Sequence, residues 1–210
     1  MHKIFLLLLN LKTKTICEKF TKNVIMTSSD HESGTDRLTE AMENIECDNI
    51  INVQGDEPLM DYKLITQLAT ALNNQGIVMI SAMHKIKTTA ELRSSNTVKV
   101  TVDKSLNALY FSRSIIPHHR DEWETLLNYH ITIPRALTFY KHIGIYGYKK
   151  EFLKEYSTME QTYLEKLEKL EQLRVLENGY KIKMIETDYE PVGVDIQEDL
   201  DKVRKIMKCL

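Results

Sequence analysis

A chain of 210 residues, 42% of them hydrophobic and 28% charged, is long enough to bury one sizeable core, and a single domain over residues 1–210 is the default expectation. Its formal charge of -2, with acids and lysines interspersed, leaves no basic excess to hold a phosphate backbone and argues against nucleic acid as a partner. Cys17, Cys47 and Cys209 lie far apart, without the paired spacing of a zinc site, a redox dithiol or a disulfide framework, which fits a reducing cytoplasm.

The chain opens on "MHKIFLLLLNLK", a basic start and an apolar run that imitate a secretion signal. The run is short and passes into "KTKTICEKF" without a small-residue cleavage site, so a buried strand over residues 4–9 is the better reading. No segment approaches the roughly 20 apolar residues of a membrane helix. Further strands are expected at 24–27, 49–53, 77–82, 98–102, 108–112, 142–148 and 181–186. Apolar residues three and four apart predict helices at 35–45, 62–72, 163–176 and 196–207. This alternation predicts an α/β fold, a mainly parallel twisted sheet flanked by helices, in which ligands bind beyond the carboxyl ends of strands.

One such end is "NVQGDEPLM", where the apolar strand stops at a glycine, two acids and a proline. Asp56 there suits a hard divalent cation, because such ions prefer oxygen ligands. A turn in which the aspartate caps its own backbone explains the same residues. "EPVGVDIQEDL" places a second acid, Asp195, before the last helix, either as a partner ligand or as the N-cap of a box closed by Glu198. In "HESGTDR", Ser33, Gly34 and Thr35 precede a helix and offer backbone N–H groups to a nucleotide, with Arg37 as a charged fork. N-capping by Ser33 or Thr35 is the ordinary alternative.

Taken in order, "MTSSDHESGTDRL", "NVQGDEP", "NTVKV", "YFSRSIIP", "HIGIYGY", "LEKLEQLRVLENG" and "GVDIQEDLDKV" resemble the successive signatures of the 3-deoxy-D-manno-octulosonate (Kdo) cytidylyltransferases of Gram-negative bacteria. The resemblance runs from about Ile16 to Lys208. It implies a Rossmann-like nucleotidyltransferase fold, CTP and Kdo as substrates, CMP-Kdo for lipopolysaccharide synthesis as product, and a cytoplasmic homodimer. It implies Mg2+ held by Asp56 and Asp195 as the catalytic centre. His31, Ser33, Gly34, Thr35, Arg37 and Gln54 match the nucleotide-binding positions. Arg113 and Arg120 match the cations facing the acidic sugar, for which bidentate carboxylate binding is a physical reason. His142 and Tyr146 match sugar-facing positions that depend on a strand irregularity near Gly144, and Glu171 and Gln172 match residues bonding sugar hydroxyls. On their own terms Arg120 and His118 read as solvated loop residues, and His142 as a satisfied core histidine. The leucines at 164, 167, 170, 173 and 176 read as a packing stripe, shared with a dimer partner.

Family members begin with a strand and a loop resembling P-A-R-x-x-S-x-R-L-P-G-K, whose Arg and Lys bind the triphosphate, and "KIFLLLLNLKTKTICEKF" aligns instead with the second strand and its helix. The expectation is a fold N-terminally truncated by one βα unit, and hence a feeble catalyst. The alternative is a non-catalytic remnant or subunit that keeps only the family's dimer surface.

Overall fold

The expected strand pattern reappears, with its boundaries shifted by a few residues, in the computed structural model, which describes residues 5–8, 11–31, 34–194 and 196–208. The strands are β1 (Leu6–Leu8), β2 (Val24–Met26), β3 (Asn49–Asn52), β4 (Met79–Lys85), β5 (Lys99–Val102), β6 (Ala108–Ser112), β7 (Tyr140–Lys149) and β8 (Ile182–Glu186). The helices are α1 (Leu11–Cys17), α2 (Gly34–Met42), α3 (Tyr62–Ala71), α4 (Thr89–Arg93), α5 (Trp123–Tyr129), α6 (Lys150–Thr158), α7 (Tyr163–Glu168), α8 (Gln172–Glu177) and α9 (Gln197–Met207). They fall into two compact units, one from Met1–Asp48 with Lys150–Met159, the other from Asn49–Lys149 with Glu160–Leu210.

In the first unit β1 and β2 pair in parallel, Leu6 opposite Val24. Helix α2 buries Leu38, Ala41 and Met42, and α6 buries Phe152, Leu153 and Tyr156. Both sets follow the three-and-four spacing of one helical face, and the two helices pack together. The start of α6 is pinned by its first residue, whose backbone N–H donates to Asp48 O at 2.9 Å.

The second unit holds a mixed sheet in the order β6-β5-β7-β4-β8, with β3 also on β7. The expectation of a mainly parallel sheet is corrected here. β3, β4, β5 and β8 do point the same way, but the long β7 runs against β3, β4 and β5, so that among the described residues this sheet's only parallel ladder is β4 with β8. Hydrophobic periodicity reports which face of a strand is buried and carries no sign for its direction, which is why the reversal of β7 is invisible in it. Helix α3, capped by the Asp61 carboxylate on Lys63 N–H at 2.9 Å, lays Leu64, Leu68 and Leu72 over Ile80, Ala82, Ile143 and Ile145.

Gly147 of β7 sits under this layer. A Cβ there would lie 2.7 Å from Ile80 Cγ2 and 2.8 Å from both Ile51 Cδ1 and Leu72 Cδ1. Gly147→Ala is therefore expected to destabilise the chain by about 1–3 kcal/mol through overpacking, read as a lower urea midpoint at unchanged slope. An unchanged midpoint would mean that the layer above β7 yields freely.

The predicted helix 163–176 is two helices. Lys169 adopts a left-handed backbone, φ 55°, and ends α7 before α8 begins. The leucine stripe breaks with it: Leu170 and Leu173 are buried, but Leu167 is 63% exposed.

Candidate functional site

Strand β3 stops at Asn52 because the chain then turns, with Glu57 N–H donating to Gln54 O at 3.2 Å and Met60 N–H to Glu57 O at 3.2 Å. The turn places the two adjacent acids in different surroundings. Asp56 is exposed, whereas Glu57 is half-buried and accepts the Tyr189 hydroxyl at 3.2 Å. Burial raises the Glu57 carboxyl above its ordinary range, and the Asp56 charge adds to this against the opposing Tyr189 hydrogen bond. Gln54 is exposed at the same turn, and above Gly55 no atom comes within 4 Å of where a Cβ would stand.

Asp56 is also tied to the segment that carries the second acid. Its carbonyl accepts Val194 N–H at 2.9 Å, which brings the residue before Asp195 against the strand end. Asp195 and Ser33 themselves lie outside the described residues. Among the described residues no group of three acids, histidines or cysteines converges on one point. An exposed carboxylate bonded through its backbone to the neighbour of another fits Mg2+, which takes one or two carboxylates and completes its shell with water and phosphate oxygens.

One edge of β7 is left unpaired over a short stretch next to this turn. β4 occupies one edge of β7 throughout, while on the other edge β3 pairs with residues 146–149 and β5 with residues 140–141. Between them His142 N–H donates to Val98 O at 2.8 Å, and Ile143 to Ile145 lie where the two strands part. Opposite this gap the register slips: Ser81 faces Tyr146 but Ala82 faces Ile143, so β7 carries two extra residues, Gly144 and Ile145. The irregularity expected at Gly144 is this bulge.

His142 and Tyr146 stand on the sheet face away from α3, as their partners Met83 and Ser81 show. Their rings are 5.3 Å apart, and His142 meets Phe111 edge-on at 5.0 Å. Packing among these groups pushes the His142 imidazole well below the ordinary histidine range, because burial penalises its charged form. The Tyr146 hydroxyl donates to Gln172 Oε1 at 3.2 Å, and Gln172, 3% exposed, is left with a buried Nε2 that has no partner among the described residues. An orphaned buried amide is costly unless something fills the place beside it, so Gln172 has a donor ready for a ligand oxygen. Glu171, half-buried, immediately precedes it.

The two arginines are held differently. Arg113 is anchored: Nε donates to Glu168 O at 2.9 Å and Nη1 to Ser95 O at 3.2 Å, and its own N–H donates to the Glu168 carboxylate at 2.9 Å. Beneath it Lys99 is fully buried and gives its ammonium to the carbonyls of Ser94, Thr97 and Arg113 at 2.6–2.9 Å. Burial lowers the Lys99 pKa, and the Glu168 charge opposes that shift. Arg120 lies beyond the cis Ile116–Pro117 bond, exposed and with no side-chain partner among the described residues.

The first-unit residues expected to contact a nucleotide cluster at the start of α2. Gly34 is its first residue and Thr35 is buried, with the Thr35 carbonyl accepting the Thr39 hydroxyl at 3.0 Å. His31 Nε2 lies 2.5 Å from Glu40 Oε2, which also accepts Ser28 N–H at 3.0 Å. The Ser28 hydrogen bond first, then His31, holds the Glu40 carboxyl below its ordinary range. Arg37 is half-buried on the same helix.

The mixed sheet with helices packed over it is that of a nucleotidyltransferase fold. Residues 10–183 match the family described as Cytidylyltransferase, and the chain belongs to it. Its relatives narrow the family further. The chain is 48% identical over 185 residues to the 3-deoxy-manno-octulosonate cytidylyltransferase of Trichlorobacter lovleyi, covering 88% of this chain and 73% of that protein. It is 44% identical over 196 residues to the protein of the same name from Haemophilus influenzae, covering 91% and 77%. A solved CMP:2-keto-3-deoxy-manno-octonic acid synthetase in complex with CTP superposes with a TM-score of 0.87 at 34% identity, covering 99% of this chain and 81% of that one. A 4-diphosphocytidyl-2C-methyl-D-erythritol synthase from Anaerococcus prevotii, 13% identical with a TM-score of 0.56, shares the fold alone.

Proposed function

We propose that this chain transfers the cytidylyl group of CTP to Kdo, forming CMP-Kdo and releasing pyrophosphate for lipopolysaccharide synthesis. The observation that carries the reading is the 48% identity to a cytidylyltransferase of that specificity over 88% of the chain. In the reaction the anomeric hydroxyl of Kdo loses its proton and bonds to the α-phosphorus, and the bond from that phosphorus to the bridging oxygen breaks. Positioning and charge neutralisation dominate such in-line transfers. Asp56 and Asp195 would hold Mg2+, which supplies Lewis-acid neutralisation of the triphosphate. His31, Ser33, Gly34, Thr35, Arg37 and Gln54 contact the nucleotide. His142, Tyr146, Glu171 and Gln172 contact the sugar hydroxyls, and Arg113 and Arg120 face the carboxylate. The chain works as a homodimer in the cytoplasm. No helix among the described residues is long and apolar enough to cross a membrane.

The exposed guanidinium of Arg120 gives a direct check on the sugar assignment. Arg120→Ala is expected to weaken Kdo binding by about 1.5–3 kcal/mol, the range for hydrogen bonds to charged groups, measured by titration calorimetry. Unchanged affinity would return Arg120 to the solvent. The reaction itself is tested by pyrophosphate release, which must require CTP and Kdo together. Release from CTP alone, or with no response to Kdo, would overturn the proposal.

A further inference from the structure

Ser81 sits inside the apolar strand β4, fully buried, at the point where β7 bulges. Its hydroxyl oxygen lies 2.8 Å from Ile145 O, 3.3 Å from Ile143 O and 2.8 Å from His142 Nε2. One hydroxyl has one proton, and the two carbonyls can only accept. If Ser81 donated to His142 Nε2, its oxygen would face Ile145 O at 2.8 Å with no proton between two sets of lone pairs. If Ser81 donates to Ile145 O, that contact becomes a normal hydrogen bond, and the remaining lone pairs accept a proton from His142 Nε2–H. The second arrangement makes two hydrogen bonds where the first makes one and a repulsion. The lowered pKa of the ring adds that it carries a single proton.

We infer that Ser81 is a positioning residue that holds His142 as the Nε2–H tautomer, so that Nδ1 is presented as a hydrogen-bond acceptor to a hydroxyl of the sugar acid. Nδ1 has no partner among the described residues, and His142 as a residue is half-buried rather than sealed in the core. The consequence is chemical selectivity along this face of β7. His142 accepts, whereas the orphaned Nε2 of Gln172, joined to the same wall through Tyr146, donates. A sugar must therefore present a hydroxyl proton to the first and an oxygen lone pair to the second. The bulge is the device that makes this possible, because it turns two main-chain carbonyls toward one buried hydroxyl.

The role in catalysis rests on the assignment of His142 to the sugar, but the tautomer does not, and the two are separable. Long-range 1H–15N spectra of the histidine rings, with His142 assigned by comparison with H142Q, should show protonated Nε2 and bare Nδ1 in the unmodified chain. S81A should lose this preference, and S81T, which keeps a hydroxyl at the same place, should keep it. Steady-state kinetics of S81A should show KM for Kdo raised about 3- to 10-fold, the worth of a neutral hydrogen bond, with KM for CTP unmoved and S81T restoring the value. A wild-type ring protonated at Nδ1, or a ring unaffected by S81A, overturns the role of Ser81. A ring altered by S81A with an unchanged KM for Kdo overturns instead the placing of His142 against the sugar.

Discussion

Asp56→Asn is expected to lower the rate of CMP-Kdo formation at least about 10²-fold. The carboxylate is exposed at the end of β3 and, among the described residues, takes no part in holding the turn, which is closed by the backbones of Gln54, Glu57 and Val194. The substitution therefore removes charge without removing structure. A metal ion that neutralises a transferring phosphoryl group is worth several kcal/mol, and each 1.4 kcal/mol or so is tenfold in rate. Excess Mg2+ should recover part of the loss, since a weakened site is filled by mass action. Glu57→Gln supplies the contrast, because that carboxyl is half-buried and engaged by the Tyr189 hydroxyl, and its rate should stay within a few-fold of the unmodified chain. Initial rates of pyrophosphate release over a Mg2+ series check both. Equal losses at the two positions would show that the acids act as one cluster.

Arg174→Ala should produce the largest loss of stability, about 3–5 kcal/mol in urea unfolding, the usual result of stranding one half of a buried ion pair. Arg174 and Glu165 are each 5% exposed, with Arg174 Nε 2.8 Å and Nη2 2.5 Å from the two carboxylate oxygens. The fork joins α7 to α8 across the left-handed Lys169, where no helical hydrogen bonds could do so. Replacing both partners, Glu165→Leu with Arg174→Met, should restore much of the loss, since no charge is then left buried. Gln172 stands on α8 two residues from the fork, so KM for Kdo should rise in Arg174→Ala where the protein remains folded. If the single and double variants lose the same stability, the cost lies in packing rather than in the isolated charge.

The strand pattern was legible because each strand is a short apolar run ended by polar or turn residues; Ala108–Ser112 is found with its expected bounds. The helices were legible only where the apolar spacing ran long enough. The five residues of α4 and the seven of α5 give too few turns to register a period. The 163–176 segment failed for the opposite reason. Its leucine spacing continues straight through a backbone reversal at Lys169, and side-chain periodicity does not report φ. At the site, "GDEP" showed a strand ending in oxygen ligands, but not that Asp56 and Glu57 part company, since that depends on Tyr189, 132 residues further on. Ser81 and Lys99 escaped for the same kind of reason. A lone polar residue in an apolar strand reads as tolerated core, and only the tertiary fold shows the carbonyls of β7, or of the 94–97 and 113 loops, gathered around it.

Whether this chain makes CMP-Kdo is settled by analysing its products. The purified chain, shown to be folded by circular dichroism, is incubated with CTP, Kdo and Mg2+, and the reaction is resolved by mass spectrometry against a protein-free control. CMP-Kdo is expected above that control, in proportion to the pyrophosphate released and lost when Asp56 is replaced. A folded chain that binds CTP and forms no CMP-Kdo would contradict this expectation and favour a non-catalytic role for the same fold.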